Sequence, residues 1–197
     1  MHKLNAQQLR TATDTEAKKA SSDVKNPLYL ILENVYDTYN IGGLFRLADG
    51  LNVAGLYICG NSETPPHAKI KKASIGTYKI VPWKYCKTVD EAITDIKKDY
   101  NSKLVSYNLP NRKLQDTSYK LQVVAVEQDK RAVPYTAISY SAPTAVIVGN
   151  ETYGILPETV ALADYVAEIP MWGINKSLNV IVSAAVVSFE IARQLKF

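Results

Sequence analysis

Residues 169–180 read IPMWGINKSLNV, and an apolar run follows them. Ile169, Pro170 and Met171 close an extended segment that begins near Tyr165. Pro170 has no N–H, which suits a strand end better than a strand centre. Gly173 permits backbone angles that a side chain would forbid. Ser177 is a good N-cap for a helix running to Phe197. In that helix Leu178, Ile181, Val182, Ala185, Val186 and Phe189 follow the i, i+3, i+4 spacing of a buried face. Asn175, Lys176, Ser177 and Asn179 stand directly beside it. Polar side chains against a core element need partners, or they contact a ligand.

Working outward, the chain alternates strands with helices. Residues 28–35 read as a strand, 40–51 as a helix and 55–60 as a strand. A basic loop with two prolines follows at 64–76. Residues 78–83 read as a strand, 89–100 as a helix and 103–108 as a strand. Residues 121–126 and 144–148 are clear strands rich in β-branched residues. A short helix near Pro157 precedes a strand over 165–171. This order indicates an α/β fold with a mostly parallel sheet flanked by helices. Such sheets place ligands at the carboxyl ends of their strands. Residues 1–26 are polar, and we read them as a short arm before a single domain over 27–197.

Bulk composition narrows the function classes. At 197 residues and 47% hydrophobic content, the chain suits one domain with a full core. A formal charge of +4 is compatible with a nucleic-acid partner. Cys59 and Cys86 make neither a disulfide framework nor a metal cluster, so no metal is expected. No run approaches a membrane span, and the N-terminus lacks a secretory apolar core. The composition suits a reducing cytoplasm.

Three polar clusters follow three strands. The first is NVYDTYNIGGLFR, residues 34–46. Asn40 can cap a helix, Gly42 and Gly43 allow close backbone approach, and Arg46 follows within two turns. This is either a capped helix with a surface arginine or a phosphate site at a helix N-terminus. The glycine spacing lacks the dinucleotide fingerprint. The second is VGNETYGI, residues 148–155. It is either a polar turn with a solvated Glu151 or a place where backbone approaches a ligand. The third is the stretch at 169–180. At 64–76, His67, Lys69, Lys71 and Lys72 make either a solvated loop or a phosphate-contacting one.

The three clusters read N-x-x-x-x-x-N-x-G-x-x-x-R, G-N-E-x-x-G and I-P-M-x-x-x-x-x-S-L-N-V. Together they resemble the SpoU/TrmH family of RNA ribose 2′-O-methyltransferases, within the SPOUT class, over residues 27–197. The resemblance implies a sheet ending in a C-terminal deep trefoil knot, which ordinary topology rules would exclude. It implies methyl transfer from S-adenosylmethionine to a ribose 2′-hydroxyl, with S-adenosylhomocysteine as product. Arg46 matches the catalytic arginine, with a base or an electrostatic role. Asn40 would orient Arg46 or the ribose, and Glu151 would position one of them. Ser177 and Asn179 would shape the pocket. Cofactor contacts would come from Val126, Glu127, Gly149, Ile169 and Leu178, mostly through backbone. His67, Lys69, Lys71 and Lys72 would contact RNA. The implied assembly is a homodimer that uses the C-terminal helix.

Two features depart from a minimal member. Residues 101–120 form a long connection, as an extra hairpin or a loop. The short arm replaces the folded N-terminal domain of many ribosomal RNA relatives, which favours tRNA over rRNA as substrate. The competing reading is a non-catalytic RNA-binding protein that keeps the fold. A generic nucleotide-binding domain ranks below both, since no P-loop is present.

Overall fold

The central strand is apolar on both faces. β1 (Asn26–Glu33) is buried from Leu28 to Glu33, as expected for the middle of a parallel sheet covered on two sides. The computed structural model describes residues 4–21, 24–106 and 120–197, without the side chains of 103–106. The sheet has seven strands in the order β3-β2-β1-β6-β4-β7-β5. The others are β2 (Val53–Cys59), β3 (Trp83–Cys86), β4 (Gln122–Val126), β5 (Val133–Pro134), β6 (Thr144–Val148) and β7 (Tyr165–Glu168). Every pairing is parallel, and Leu30 of β1 sits opposite both Leu56 and Val146.

Side chains alternate along β1 and feed two cores. Leu28, Leu30 and Leu32 join Ile41, Leu44 and Phe45 of α3 (Thr38–Gly50) and Ala184, Val187 and Ile191 of α7 (Val180–Leu195). Tyr29 and Ile31 join Val89, Ile93 and Ile96 of α5 (Val89–Ser106) on the other face. Between β1 and β6 the strand order changes direction. β1, β6, β4 and β7 are neighbours, so four carboxyl ends lie side by side. Their loops build the site, as the strand-end rule requires.

Several local expectations are corrected. α3 begins at Thr38 and is capped by Asp37, whose carboxylate accepts the Tyr39 N–H at 2.8 Å. Asn40 therefore lies inside the helix, and its amide serves a different purpose. Residues 64–76 hold a helix, α4 (Ala68–Ser74), with His67 as its cap. The strand expected at 78–83 is a 3-10 turn, Thr77–Lys79, followed by β3. Left-handed Ile75 and Gly76 turn the chain there, and the Thr77 hydroxyl donates back to the Ser74 carbonyl. The strand expected at 103–108 is helical as far as Ser106, and the rest lies outside the described residues. The strand expected to reach Met171 stops at Glu168, two residues before Pro170.

At α7 the N-cap is Asn179, whose side chain accepts the Ile181 N–H at 2.9 Å, so Ser177 is no cap. The buried face is Val180, Ala184, Val187, Ser188 and Ile191. The stripe read from the sequence is instead half exposed. Val182 is 45% and Phe189 57% accessible. This helix is apolar nearly all round its first turns, so period alone does not select a face. Contact with α3 and the sheet selects it.

The N-terminal residues form two short helices, α1 (Ala6–Thr11) and α2 (Asp14–Ala20), each opened by a capping box. α6 (Pro157–Val160) completes the set. Glu33, at the end of β1, secures its start by accepting the Leu156 N–H at 2.9 Å and the Thr159 hydroxyl at 2.5 Å.

Candidate active site

Three residues from the three sequence clusters meet in one hydrogen-bonded row. Asn40 is buried in the first turn of α3. Its amide donates to the Glu151 carboxylate at 2.9 Å. Its carbonyl accepts the Asn179 amide at 3.0 Å. Glu151 also receives the Tyr36 and Asp37 N–H groups at 3.4 Å. Protein carboxylates thus already occupy the α3 N-terminus, which argues against a phosphate there. Gly42 and Gly43 have a packing reason instead. A Cβ on Gly42 would lie 2.4 Å from the Ala73 Cβ of α4, and one on Gly43 2.3 Å from the Ile181 Cδ1 of α7. α3 is wedged between two helices, and that wedge brings Asn40 to Asn179.

The turn carrying Glu151 is fixed from within. Asn150 accepts the Thr152 and Tyr153 N–H groups at 2.8 and 2.9 Å. Its amide donates to the Asn34 carbonyl at 2.9 Å, tying the turn to the end of β1. Asn150 received no role from the sequence, although its place between Gly149 and Glu151 was the available signal. Gly149 is needed for contact. A Cβ there would lie 2.4 Å from the Gly154 carbonyl carbon and oxygen.

Beside the row opens a cavity of about 530 Å³. Residues 126–128, 148–154, 167–169, 171, 175–180 and 183 line it. Val126, Glu127, Gly149, Ile169 and Leu178 all line it, and so do Glu151, Ser177 and Asn179. The Glu127 carboxylate accepts the Ile155 and Gln128 N–H groups, both at 2.8 Å, so this side chain clasps two walls together. Gln128 reaches the third wall by donating to the Lys176 carbonyl. Sequence reasoning missed Gln128, which carries no motif. The volume suits a ligand of cofactor size. The glycine contact and the loop walls suit recognition through backbone. These observations fit S-adenosylmethionine.

Other expected residues lie elsewhere. Arg46 is exposed on α3, does not line the cavity, and has no hydrogen bond or ion pair among the described residues. The described side-chain hydrogen bonds of Asn40 go to Glu151 and Asn179. Lys69, Lys71 and Lys72 are exposed on α4, while the His67 imidazole accepts the Lys69 N–H at 3.3 Å. Cys59 and Cys86 are register partners on β2 and β3, and burial pushes both thiols up, which disfavours a nucleophilic thiolate.

The sequence agrees with this geometry. Residues 27–189 match the model of the SpoU rRNA methylase family. The chain belongs to that family. Among relatives of the SpoU chain, the tRNA (guanosine(18)-2′-O)-methyltransferase of Aquifex aeolicus is 31% identical over 173 residues. That match covers 85% of this chain and 69% of the relative. The structure of the A. aeolicus TrmH/SpoU tRNA modifying enzyme superposes with a TM-score of 0.64 at 26% identity. It covers 97% of this chain and 82% of that one. The AdoMet-bound rRNA methyltransferase of Sinorhizobium meliloti shares the fold, with a TM-score of 0.70 at 24% identity. This SpoU chain is covered to 91% in that comparison and spans 60% of the S. meliloti chain.

Proposed function

We propose that this protein methylates a ribose 2′-hydroxyl of tRNA, with S-adenosylmethionine as cofactor. The observation that carries the reading is the Asn179–Asn40–Glu151 row at the edge of a loop-lined cavity. Residues 126–128, Gly149 and 169–178 hold the cofactor, largely through backbone. When bound, S-adenosylmethionine supplies an electrophilic methyl group on a sulfonium. The protein's share is to position the hydroxyl and stabilise the negative charge on its oxygen as the proton passes to water, while the C–O bond forms and the methyl–sulfur bond breaks to leave S-adenosylhomocysteine.

Asn40, Glu151, Ser177 and Asn179 shape the ribose side of the site. Arg46 brings an exposed guanidinium with no hydrogen bond or ion pair among the described residues. A guanidinium is a poor base and a good partner for phosphate or alkoxide oxygen. We therefore assign Arg46 the electrostatic role. His67, Lys69, Lys71 and Lys72 give α4 a basic surface for RNA phosphates. The intact row opposes a non-catalytic RNA-binding role.

Two further features belong to this reading. Residues 169–180 form the knot segment, threaded beside 126–128 and 148–154, a placement supported by their shared lining of one cavity. The half-exposed stripe of α7 joins a second copy of the chain into a homodimer. Among the described residues no helix is long and apolar enough to cross a membrane. We assign the protein to the cytoplasm, where tRNA is modified.

Similarity supports tRNA over rRNA. The A. aeolicus tRNA modifying enzyme matches over nearly the whole chain, arm included. The test is ribose-methylation mapping across total RNA with and without the gene, beside labelled methyl transfer to unmodified tRNA. Loss of one tRNA site is expected. Loss of a ribosomal site with every tRNA site unchanged would overturn the substrate.

A further inference from the structure

A second groove shares no lining residue with the cofactor cavity. It measures about 790 Å³ and runs between α2 and the edge strand β3. Lys18, Lys25, Lys79 and Lys84 line it, against two acids, Asp14 and Asp99. Tyr78 and Trp83 add two half-buried rings. Ammonium groups interleaved with aromatic rings suit a nucleic-acid strand, with phosphates on the lysines and bases on the ring faces.

The groove is built by docking of the N-terminal helices. Lys79 Nζ donates to the Ala12 carbonyl at 2.6 Å, between α1 and α2. Gly76 carries φ +91°, and a Cβ there would lie 2.5 Å from the Leu9 carbonyl oxygen. Leu9 and Ala17 are buried beneath. One wall is therefore arm and the other is sheet edge. Pro65 and Pro66 line the groove and lie just before α4, with its exposed Lys69, Lys71 and Lys72.

The charges differ in availability. Lys84 is paired with Asp95 at 2.7 Å. Lys79 donates to a neutral carbonyl, and Glu16 of α2 feels its charge without a hydrogen bond between them among the described residues. Lys18 is exposed on α2 and has no partner among the described residues. Lys18 and Lys79 are thus two groove cations with no hydrogen-bonded carboxylate among the described residues, and both contribute to the groove's positive field.

We infer that this arm-to-edge groove binds a strand of the RNA substrate, extending the contact surface from α4. The inference rests on the function proposed above and adds a binding surface away from the reacting ribose. The test uses the full chain and an unmodified tRNA transcript titrated across a salt series. Lys18→Glu combined with Lys79→Gln removes the two cations, and Gln retains a donor for the Ala12 carbonyl. Lys18→Glu alone, at an exposed position, guards against misfolding.

The expected result is tRNA binding on the order of tenfold weaker for the double variant, and weaker to a smaller degree for Lys18→Glu. The salt slope should fall by about 2 for the double variant, one unit for each lost phosphate contact. S-adenosylmethionine affinity should stay at the parent value. A parent that methylates tRNA beside variants with unchanged affinity and slope would overturn the groove and leave the function standing. A parent that neither binds nor methylates RNA would overturn the function and the groove together.

Discussion

Asn40 and Glu151 stand 111 positions apart, yet the Asn40 amide donates to the Glu151 carboxylate at 2.9 Å. The bond joins the helix after β1 to the turn after β6, two neighbouring strands of the sheet. Asn179 adds a third element through the Asn40 carbonyl. One buried amide thus sets the spacing of three site-forming segments.

Asn40→Ala should uncouple them. Loss of the amide leaves the Asn179 donor without its partner and frees the Glu151 turn. The unmet hydrogen bonds cost about 1–3 kcal/mol of stability. Misplacement of the site should lower methyl transfer on the order of a hundredfold. Labelled transfer to tRNA and calorimetric cofactor titration check this together. Full activity in the variant would remove the row from the mechanism.

Arg46→Ala should separate activity from stability. The side chain is exposed and unpaired among the described residues, so the melting temperature should stay within a degree or two of the parent. Methyl transfer should fall to background. Arg46→Lys should recover only part of it, because an ammonium lacks the planar fork of donors. Equal rates for Arg46→Ala and the parent would end the assignment.

Gly149→Ala tests the cavity wall. The new Cβ would meet the Gly154 backbone at 2.4 Å, and no side-chain rotation relieves a clash with backbone. A destabilisation of about 1–3 kcal/mol is expected. Cofactor affinity should fall at least as sharply, since the displaced turn lines the cavity. Urea unfolding and cofactor titration give the two numbers, and normal values for both would refute the close contact.

Val182→Asp and Phe189→Asp place a charge on the half-exposed stripe of α7, away from the buried Ala184, Val187 and Ile191. A charge in an apolar interface is costly, so sedimentation should show the parent as a dimer and the variants as monomers. A monomeric parent would dismiss the proposed assembly.

Acid stability should depend on Glu190. Its hydrogen bonds to Arg193 and Gln194 hold the carboxyl down at about 2, from an ordinary 4.5. A depressed carboxyl stabilises the fold above its unfolded value and loses that contribution as pH falls through the folded one. In urea titrations, the gap between parent and Glu190→Gln should close as pH falls from about 4.5 to about 2. Gln194 also accepts the Tyr140 N–H at 3.1 Å, so the pair helps seat the end of α7. A gap independent of pH would assign the effect to packing.

Much of the architecture was legible because it depends on local signals. The runs at 28–35, 121–126 and 144–148 are apolar on both faces and give β1, β4 and β6. The failures have local causes as well. Tyr78 and its neighbours have strand composition, but the left-handed pair Ile75–Gly76 makes a turn there. Ser177 and Asn179 are both good caps, and the bond from Asn179 to Asn40 favours the latter. Residues 1–26 read only as a polar arm because α1 and α2 are short, and the docking of Leu9 against Gly76 is a tertiary contact.

The motif residues, their order and the alternation of strands with helices were fixed by sequence, and with them the family. Which polar groups meet was decided by tertiary structure alone. Asn179 and Asn40 are 139 positions apart, and no periodicity encodes a contact at that distance. The same holds for the buried face of α7 and for the groove beneath α2. Each depends on which neighbour an apolar or charged surface packs against, and only the folded sheet brings those neighbours together.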